Sequence, residues 1–347
     1  MVKNLYRDDG FLNFRTVRDL GYPFTYLIGG RGTGKTYGGL STSVADGLPF
    51  ILMQRSQTQL DVINNPNFSP FKKINQNEGW HVITKAVTKN SSAFYHGETD
   101  KKGRTVPAGP PLGYTLALST ISNVRGFDGS DVELILFDEF IPEKNARTIR
   151  NEAETLMSAY ETVARNRELE GRKPLQLFLM ANALDLGNCH LLYSNLVGVL
   201  DRMERKGQEF YTDDKRGICV IRLADSPISE AKADTALYRM MGQGSDYTQM
   251  ALSNTFAYED RTDVRSRPLA EYSPAVTVGE ITVYKHKSRR LYYVSTHRSG
   301  SPEIFAAGEM ELARFRRAYA WLWTEIMERR VEFEDILSQT LLTKYLQ

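Results

Sequence analysis

The chain has 347 residues, 41% of them apolar and 25% charged, which excludes a single small domain and fits globular composition. No run of about 18 apolar residues could span a bilayer. The opening MVKNLYRDDG lacks the layout of a secretory signal, and Cys189 and Cys219 are the only cysteines, so a reduced cytosolic protein without disulfides or a membrane partner is expected. Net charge is +2, and nothing in that balance demands nucleic acid. Between Arg261 and Arg317, however, eleven Lys and Arg stand against six Asp and Glu, which suits either a phosphate backbone or a solvated face.

Strand-like apolar runs at 24–28, 50–53, 116–118, 132–137 and 175–180 alternate with helical stretches. This predicts an α/β fold, a parallel sheet with helices on both faces. Between 66 and 111 the pattern loosens into a hairpin insertion with short strands at 81–87 and 92–95. A helix is predicted over 144–170, with Ile149, Ala153, Leu156, Tyr160 and Val163 on one buried stripe and Gly171 as its stop. Residues 200–259 are polar, read as helical and are broken at Pro227, which suggests a linker or lid. Strands at 275–284 and 291–295, joined by the basic turn KHKSRR, precede a long helix carrying Leu312, Phe315, Tyr319, Leu322 and Ile326. Three parts follow: a nucleotide-binding domain at 1–199, a helical linker at 200–259, and a small α/β domain at 260–347.

Gly29, Gly30, Arg31, Gly32, Thr33, Gly34, Lys35 and Thr36 spell GGRGTGKT, the phosphate-loop pattern, after a strand and before a helix. The glycines let backbone N–H groups curl around phosphates, Lys35 reaches the β and γ phosphates, and the Thr36 hydroxyl is placed for Mg²⁺. Residues 132–139, VELILFDE, form an apolar strand ending in two carboxylates, at the sheet end where ligands sit. Asp138 is expected to hold Mg²⁺ and Glu139 to polarise the attacking water. An N-K-x-D base-reading motif is missing from the sequence, so ATP hydrolysis fits better than GTP hydrolysis.

Cleavage of a γ-phosphate gains from an additional cation, often an arginine from a neighbouring subunit. Arg167, four residues after Val163, continues the buried stripe, whereas Arg165 lies about 200° from Val163 and points away. Arg165 is therefore the finger candidate, although a cationic helix end suited to the dipole accounts for it equally well. Asn182, after the strand LQLFLMA, is placed to sense the γ-phosphate or simply to initiate a turn. Arg125, in a loop before the acidic strand, could face another subunit or only water.

Taken together, GGRGTGKT, LFDEFIPEK, TVARNRE and LMANA resemble the DNA-packaging ATPases of φ29-type tailed phages, a branch of the terminase-like motors with an ASCE P-loop ATPase domain. The resemblance covers most of the first 190 residues and continues weakly beyond. It implies a homomeric ring, commonly of five subunits, on the portal of an empty capsid in the host cytoplasm, driving double-stranded DNA inward with ATP. It also implies that Arg165 acts in trans, that Arg125 matches a second basic residue acting in trans, and that Asn182 matches a coupling position. Gln57 departs from a lysine expected on the loop after the second strand.

Larger relatives end in an RNase-H-like nuclease, whose two-metal chemistry requires converging carboxylates. The strand read at 275–284 contains only Glu280 and that at 291–295 contains none, so a C-terminal domain of this kind without nuclease activity is expected. Lys285, Lys287, Arg289 and Arg290 form its candidate basic patch for DNA, portal or a structural packaging RNA. The rival expectations are a helicase-like or other ring motor on a different polymer, a nucleotide-gated scaffold with little turnover, and a terminase with a hidden nuclease.

Overall fold

The computed structural model describes residues 4–124, 127–143, 146–223, 226–242, 245, 248, 251, 252, 256 and 260–347. Two compact units are present, Met1–Leu184 with Met203–Ala257, and Asp185–Arg202 with Tyr258–Gln347.

The first unit is built on a nine-stranded sheet in the order β3-β4-β5-β2-β6-β7-β1-β9-β8. Its strands are β1 (Phe24–Gly29), β2 (Phe50–Gln54), β3 (Val82–Thr88), β4 (Ser91–Thr99), β5 (Thr105–Ala117), β6 (Leu134–Asp138), β7 (Gln176–Ala181), β8 (Phe210–Asp213) and β9 (Ile218–Leu223). The six strands from β5 to β9 in that order are parallel, and β3, β4 and β8 join antiparallel. The inner strands are buried on both faces, which is why they read as continuous apolar runs. Their alternate side chains divide between two layers. Leu134, Leu136, Phe178 and Met180 enter one core with Phe14 of α1 (Phe14–Arg18), Leu40 of α2 (Lys35–Ala45), and Phe71 and Ile74 of α4 (Phe71–Glu78). On the sheet, Phe24 meets Tyr160 of α5 (Glu152–Ala164) at a ring-centroid distance of 5.0 Å. The predicted α/β architecture is thus present.

Several local expectations are corrected. The hairpin expected within 66–111 is present as β3 and β4, but it extends the main sheet through β5, which is 13 residues long rather than three, and α3 (Gln57–Asn64) and α4 pack beside it. Of the helix expected over 144–170, the described residues form α5, and 144–145 lie outside them. Ile149 lies outside α5, and Arg165, at φ 47°, turns the backbone left-handed and ends it six residues before Gly171. The stretch 200–259 is not helical throughout. Within it ICVIRL forms β9, buried at every position and paired with β1, because an inner parallel strand needs only a short apolar run.

In the second unit, five strands take the order β13-β10-β11-β12-β14: β10 (Tyr272–Val278), β11 (Ile281–His286), β12 (Tyr292–Ser295), β13 (Glu303–Phe305) and β14 (Val331–Phe333). The 275–284 strand is in fact the β10–β11 hairpin, with Gly279 at φ 53° and exposed Glu280 forming its turn. The expected long helix is two helices, Glu309–Tyr319 and Trp321–Met327. Phe315 and Leu322 from them join Val276, Val283 and Val294 in the unit's own core.

Candidate functional site

The phosphate loop links β1 to α2, and its glycines at 32 and 34 take φ 67° and 94°, values that a side chain would strain. Lys35 opens α2 and folds back over the loop. Its Nζ donates to the Gly29 and Gly30 carbonyls at 2.9 Å each and lies 3.4 Å from Thr33 Oγ1. Burial holds the ammonium down at about 8; Asp138 and Glu139 pull it up, while the cations Lys232 and Arg31 add to the lowering.

β7 lies between β1 and β6, with Ile28 opposite Ala181 and Met180 opposite Asp138, so the ends of three parallel strands bring their loops together. The Thr36 hydroxyl donates to Asp138 Oδ2 at 2.8 Å, joining two hard oxygen donors of the kind a Mg²⁺ ion takes. Burial pushes the Asp138 carboxyl upward, against the Thr36 hydrogen bond and Lys35. Glu139 follows at φ 56°, outside the strand geometry, and Gln59 Nε2 of α3 donates to its Oε2 at 3.1 Å. Its carboxyl is raised by burial and by the neighbouring Asp138. Arg31 ion-pairs with Glu143. Lys35, Thr36, Asp138, Glu139, Asn182 and Arg31 all line one cavity of about 570 Å³.

The other predicted residues lie elsewhere. Arg165 does not line that cavity: it is half exposed, donates to the Phe127 carbonyl at 3.3 Å and lies 3.7 Å from Asp128. Arg167 is buried, as its place on the stripe predicts, and donates to the Val132 carbonyl and to Glu133, each at 2.7 Å. Arg125 falls outside the described residues. Gln57 opens α3, where it donates to Asp61 at 2.8 Å and accepts from Thr120 at 2.9 Å.

In the second unit Lys285, Lys287 and Arg289 are exposed at the β11–β12 turn, and Lys287 donates to the Ala270 carbonyl. Arg290 is exposed as well and pairs with Glu325, which also binds Arg330. Glu332 is held by Arg267 through two hydrogen bonds of 2.6 and 2.7 Å.

Sequence reasoning missed Gln59, whose bond to Glu139 crosses 80 residues and has no local signal. It also missed Arg55, which follows β2 and grips Glu152 of α5 in a buried two-point pair at 2.7 Å. The run FILMQR offered the one available hint, an arginine ending an apolar strand.

Residues 10–307 match the family described as "Podovirus DNA encapsidation protein (Gp16)". The DNA packaging protein of Bacillus phage phi29 is 26% identical over 248 residues, 70% of this chain and 64% of that protein's length; a second DNA packaging protein, from Bacillus phage PZA, matches to the same extent. The match therefore spans less than two thirds of these relatives. Among solved structures, the Phi-28 gp11 DNA packaging motor is similar with a TM-score of 0.65 at 18% identity, covering 97% of this chain and 98% of that one. The chain in the bacteriophage Phi-29 viral genome packaging motor assembly gives 0.65 at 17% identity, covering 97% and 99%. These two likenesses carry the fold across the whole chain.

Proposed function

The chain belongs to the Podovirus DNA encapsidation protein (Gp16) family, and on that premise we propose that it is an ATP-driven motor that moves double-stranded viral DNA through a portal into a preformed capsid. The carrying observation is the convergence of Lys35, Thr36, Asp138, Glu139 and Asn182 on one cavity at the ends of β1, β6 and β7.

ATP is the substrate. The backbone of Gly29–Gly34 cradles its phosphates, and Lys35 exchanges its two loop carbonyls for phosphate oxygens. Thr36 and Asp138 would hold Mg²⁺, which would supply charge neutralisation at the phosphates. Glu139 orients and deprotonates the attacking water once its side chain leaves Gln59, and Asn182 contacts the γ-phosphate from the intervening strand. Arg165, exposed and away from its own site, completes the site of a neighbouring subunit in a homomeric ring, for which five copies is the number the resemblance implies. Arg125 is assigned to the same interface.

The exposed Lys285, Lys287 and Arg289 serve nucleic acid or portal docking through phosphate and carboxylate electrostatics, including a structural packaging RNA. We assign no nuclease step to this unit, since Glu325 and Glu332 are tied to arginines and Glu280 sits on an exposed turn. The site of action is the portal vertex of the procapsid in the host cytoplasm. Among the described residues no helix is long and apolar enough to cross a membrane.

Steady-state ATPase with and without duplex DNA tests the reading. Stimulation by duplex, together with movement along it without strand separation, supports a packaging motor; unwinding of the duplex would place the chain with helicases instead.

A further inference from the structure

Three arginines of one turn hold one loop. After α5 ends at Ala164, Arg165, Arg167 and Arg172 lie in the turn that follows, and each donates to the segment 127–133 that leads into β6. Arg167 gives Nη1 to the Val132 carbonyl and Nη2 to Glu133 Oε2, both at 2.7 Å. Arg172 gives Nη1 to the Ser130 carbonyl at 2.7 Å and Nη2 to Glu133 Oε1 at 2.8 Å, so each oxygen of this one carboxylate takes a different arginine. Arg165, with the Phe127 carbonyl at 3.3 Å and Asp128 at 3.7 Å, rests on the first two residues of the same segment.

The segment is itself fixed. The Val132 N–H donates to the Gly129 carbonyl at 3.0 Å, that of Glu133 to the Pro49 carbonyl at 2.8 Å, and that of Ser130 to Asp128 Oδ1 at 3.2 Å. A Cβ on Gly129 would lie 2.8 Å from the Phe127 ring and 3.3 Å from Val163 of α5, so loop and helix meet there with no room for a side chain. Arg165 joins this support in a backbone conformation, φ 47° and ψ −130°, that residues other than glycine rarely take. Such a conformation persists where the surroundings over-determine it. Here they are the paired bonds of Arg167 and Arg172 on one side and, on the helix side, the Arg165 N–H bond to the Glu161 carbonyl at 2.8 Å. A merely solvated arginine at a helix end requires none of this.

We infer that Arg172 is a positioning residue for Arg165: through Glu133 and the Ser130 carbonyl it locks the turn onto the loop before β6, and so fixes how the Arg165 guanidinium is offered to a neighbouring subunit's nucleotide. The inference rests on the role proposed for Arg165 above. A cation that stabilises a transition state works only within a narrow geometry, and a displacement of about 1 Å can cost up to about a hundredfold. Because the loop runs into β6, the arginine lent to a neighbour and this chain's own Asp138 share one support.

The test uses the full chain with duplex DNA and reads DNA-stimulated ATPase as kcat and KM, with thermal midpoints taken alongside. Arg172→Gln is expected to lower kcat about tenfold with KM for MgATP within about twofold of the parent, and Arg172→Lys, which can keep one of the two bonds, to fall between. The decisive readout is the same substitution placed in an Arg165→Ala background. If Arg172 acts through Arg165, it costs no further kcat there. A merely structural role lowers kcat by the same factor in both backgrounds and would overturn the inference, as would an Arg172→Gln protein with the kcat of the parent. Should Arg172→Gln fail to fold, Arg172→Lys in the two backgrounds decides on the same terms. If Arg165→Ala itself turns over like the parent on DNA, the role of Arg165 falls first and this inference falls with it, an outcome distinct from a slow Arg165→Ala beside a silent Arg172→Gln.

Discussion

Two groups at the nucleotide site titrate in opposite senses, and their directions set a pH profile. Lys35, faced by Asp138, Glu139, Lys232 and Arg31, is held at about 8 by burial, so it loses its charge as pH rises through that value, and with it the attraction for phosphate. Glu139, raised by burial and Asp138, gains a proton as pH falls and can then no longer accept one from water. kcat/KM is therefore expected to be bell-shaped, with its alkaline limb near pH 8. A rate still climbing beyond pH 9 would remove Lys35 titration from control. The linked stability has its own sign: folding lowers the Lys35 pKa from 10.5, so the cost of burying the ammonium is fully present below pH 8 and is relieved between 8 and 10.5. Glu139→Gln should leave MgATP binding within about threefold and reduce turnover by at least about a hundredfold, checked by single-turnover kinetics. Gln59→Ala, which frees the Glu139 side chain, should raise the DNA-independent rate. The residues that sequence reveals here are contiguous ones, GGRGTGKT and FDE, because phosphate binding uses consecutive backbone groups. Gln59 stayed hidden because its role exists only where α3 meets the end of β6.

At the scale of elements, α5 and its C-terminal turn separate two arginines that the sequence places two residues apart. Helical phase already assigns Arg167 to the interior and Arg165 to the surface, and this division holds even though the helix stops at Ala164. It holds because Arg167 reaches the Val132 carbonyl and Glu133 from the turn, whereas Arg165 leans on a backbone carbonyl and an exposed acid. Replacing Arg167 with Ala should cost about 2 kcal/mol in denaturant unfolding, since it leaves the Val132 carbonyl without its buried donor while Glu133 keeps Arg172. Arg165→Ala should change stability by less than about 1 kcal/mol. Equal losses would mean that the two arginines are not divided between structure and surface. β9 was the element least legible in sequence. Its six residues sit among polar neighbours, and the partner that makes them a strand is β1, nearly 200 positions earlier. The β10–β11 hairpin was misread as one strand for a related reason: Gly279 and Glu280 interrupt an apolar run too briefly to disturb its pattern, yet φ 53° at Gly279 reverses the chain.

For the whole molecule, the decisive question is whether one chain makes a complete site. The described cavity holds the phosphate loop, both acids and Asn182, but Arg165 stands outside it, half exposed, with a hydrogen bond to the Phe127 carbonyl and a long ion pair to Asp128. Hydrolysis without a transition-state cation forgoes a factor of roughly 10³ or more. A lone subunit should therefore turn over slowly, and assembly on DNA should accelerate it by supplying the arginine of a neighbour. Mixing wild-type protein with Arg165→Ala subunits separates the alternatives. If each site borrows its arginine and the ring fires in sequence, DNA-stimulated ATPase should fall more steeply than the fraction of altered subunits. If borrowing occurs without coordination, the fall follows that fraction in the assembled state, and mixtures of Arg165→Ala with Glu139→Gln subunits recover activity, because some interfaces then combine an intact glutamate with an intact arginine. A linear fall without such recovery would show that each chain hydrolyses ATP alone, and would return Arg165 to the role of a solvated residue at the end of α5.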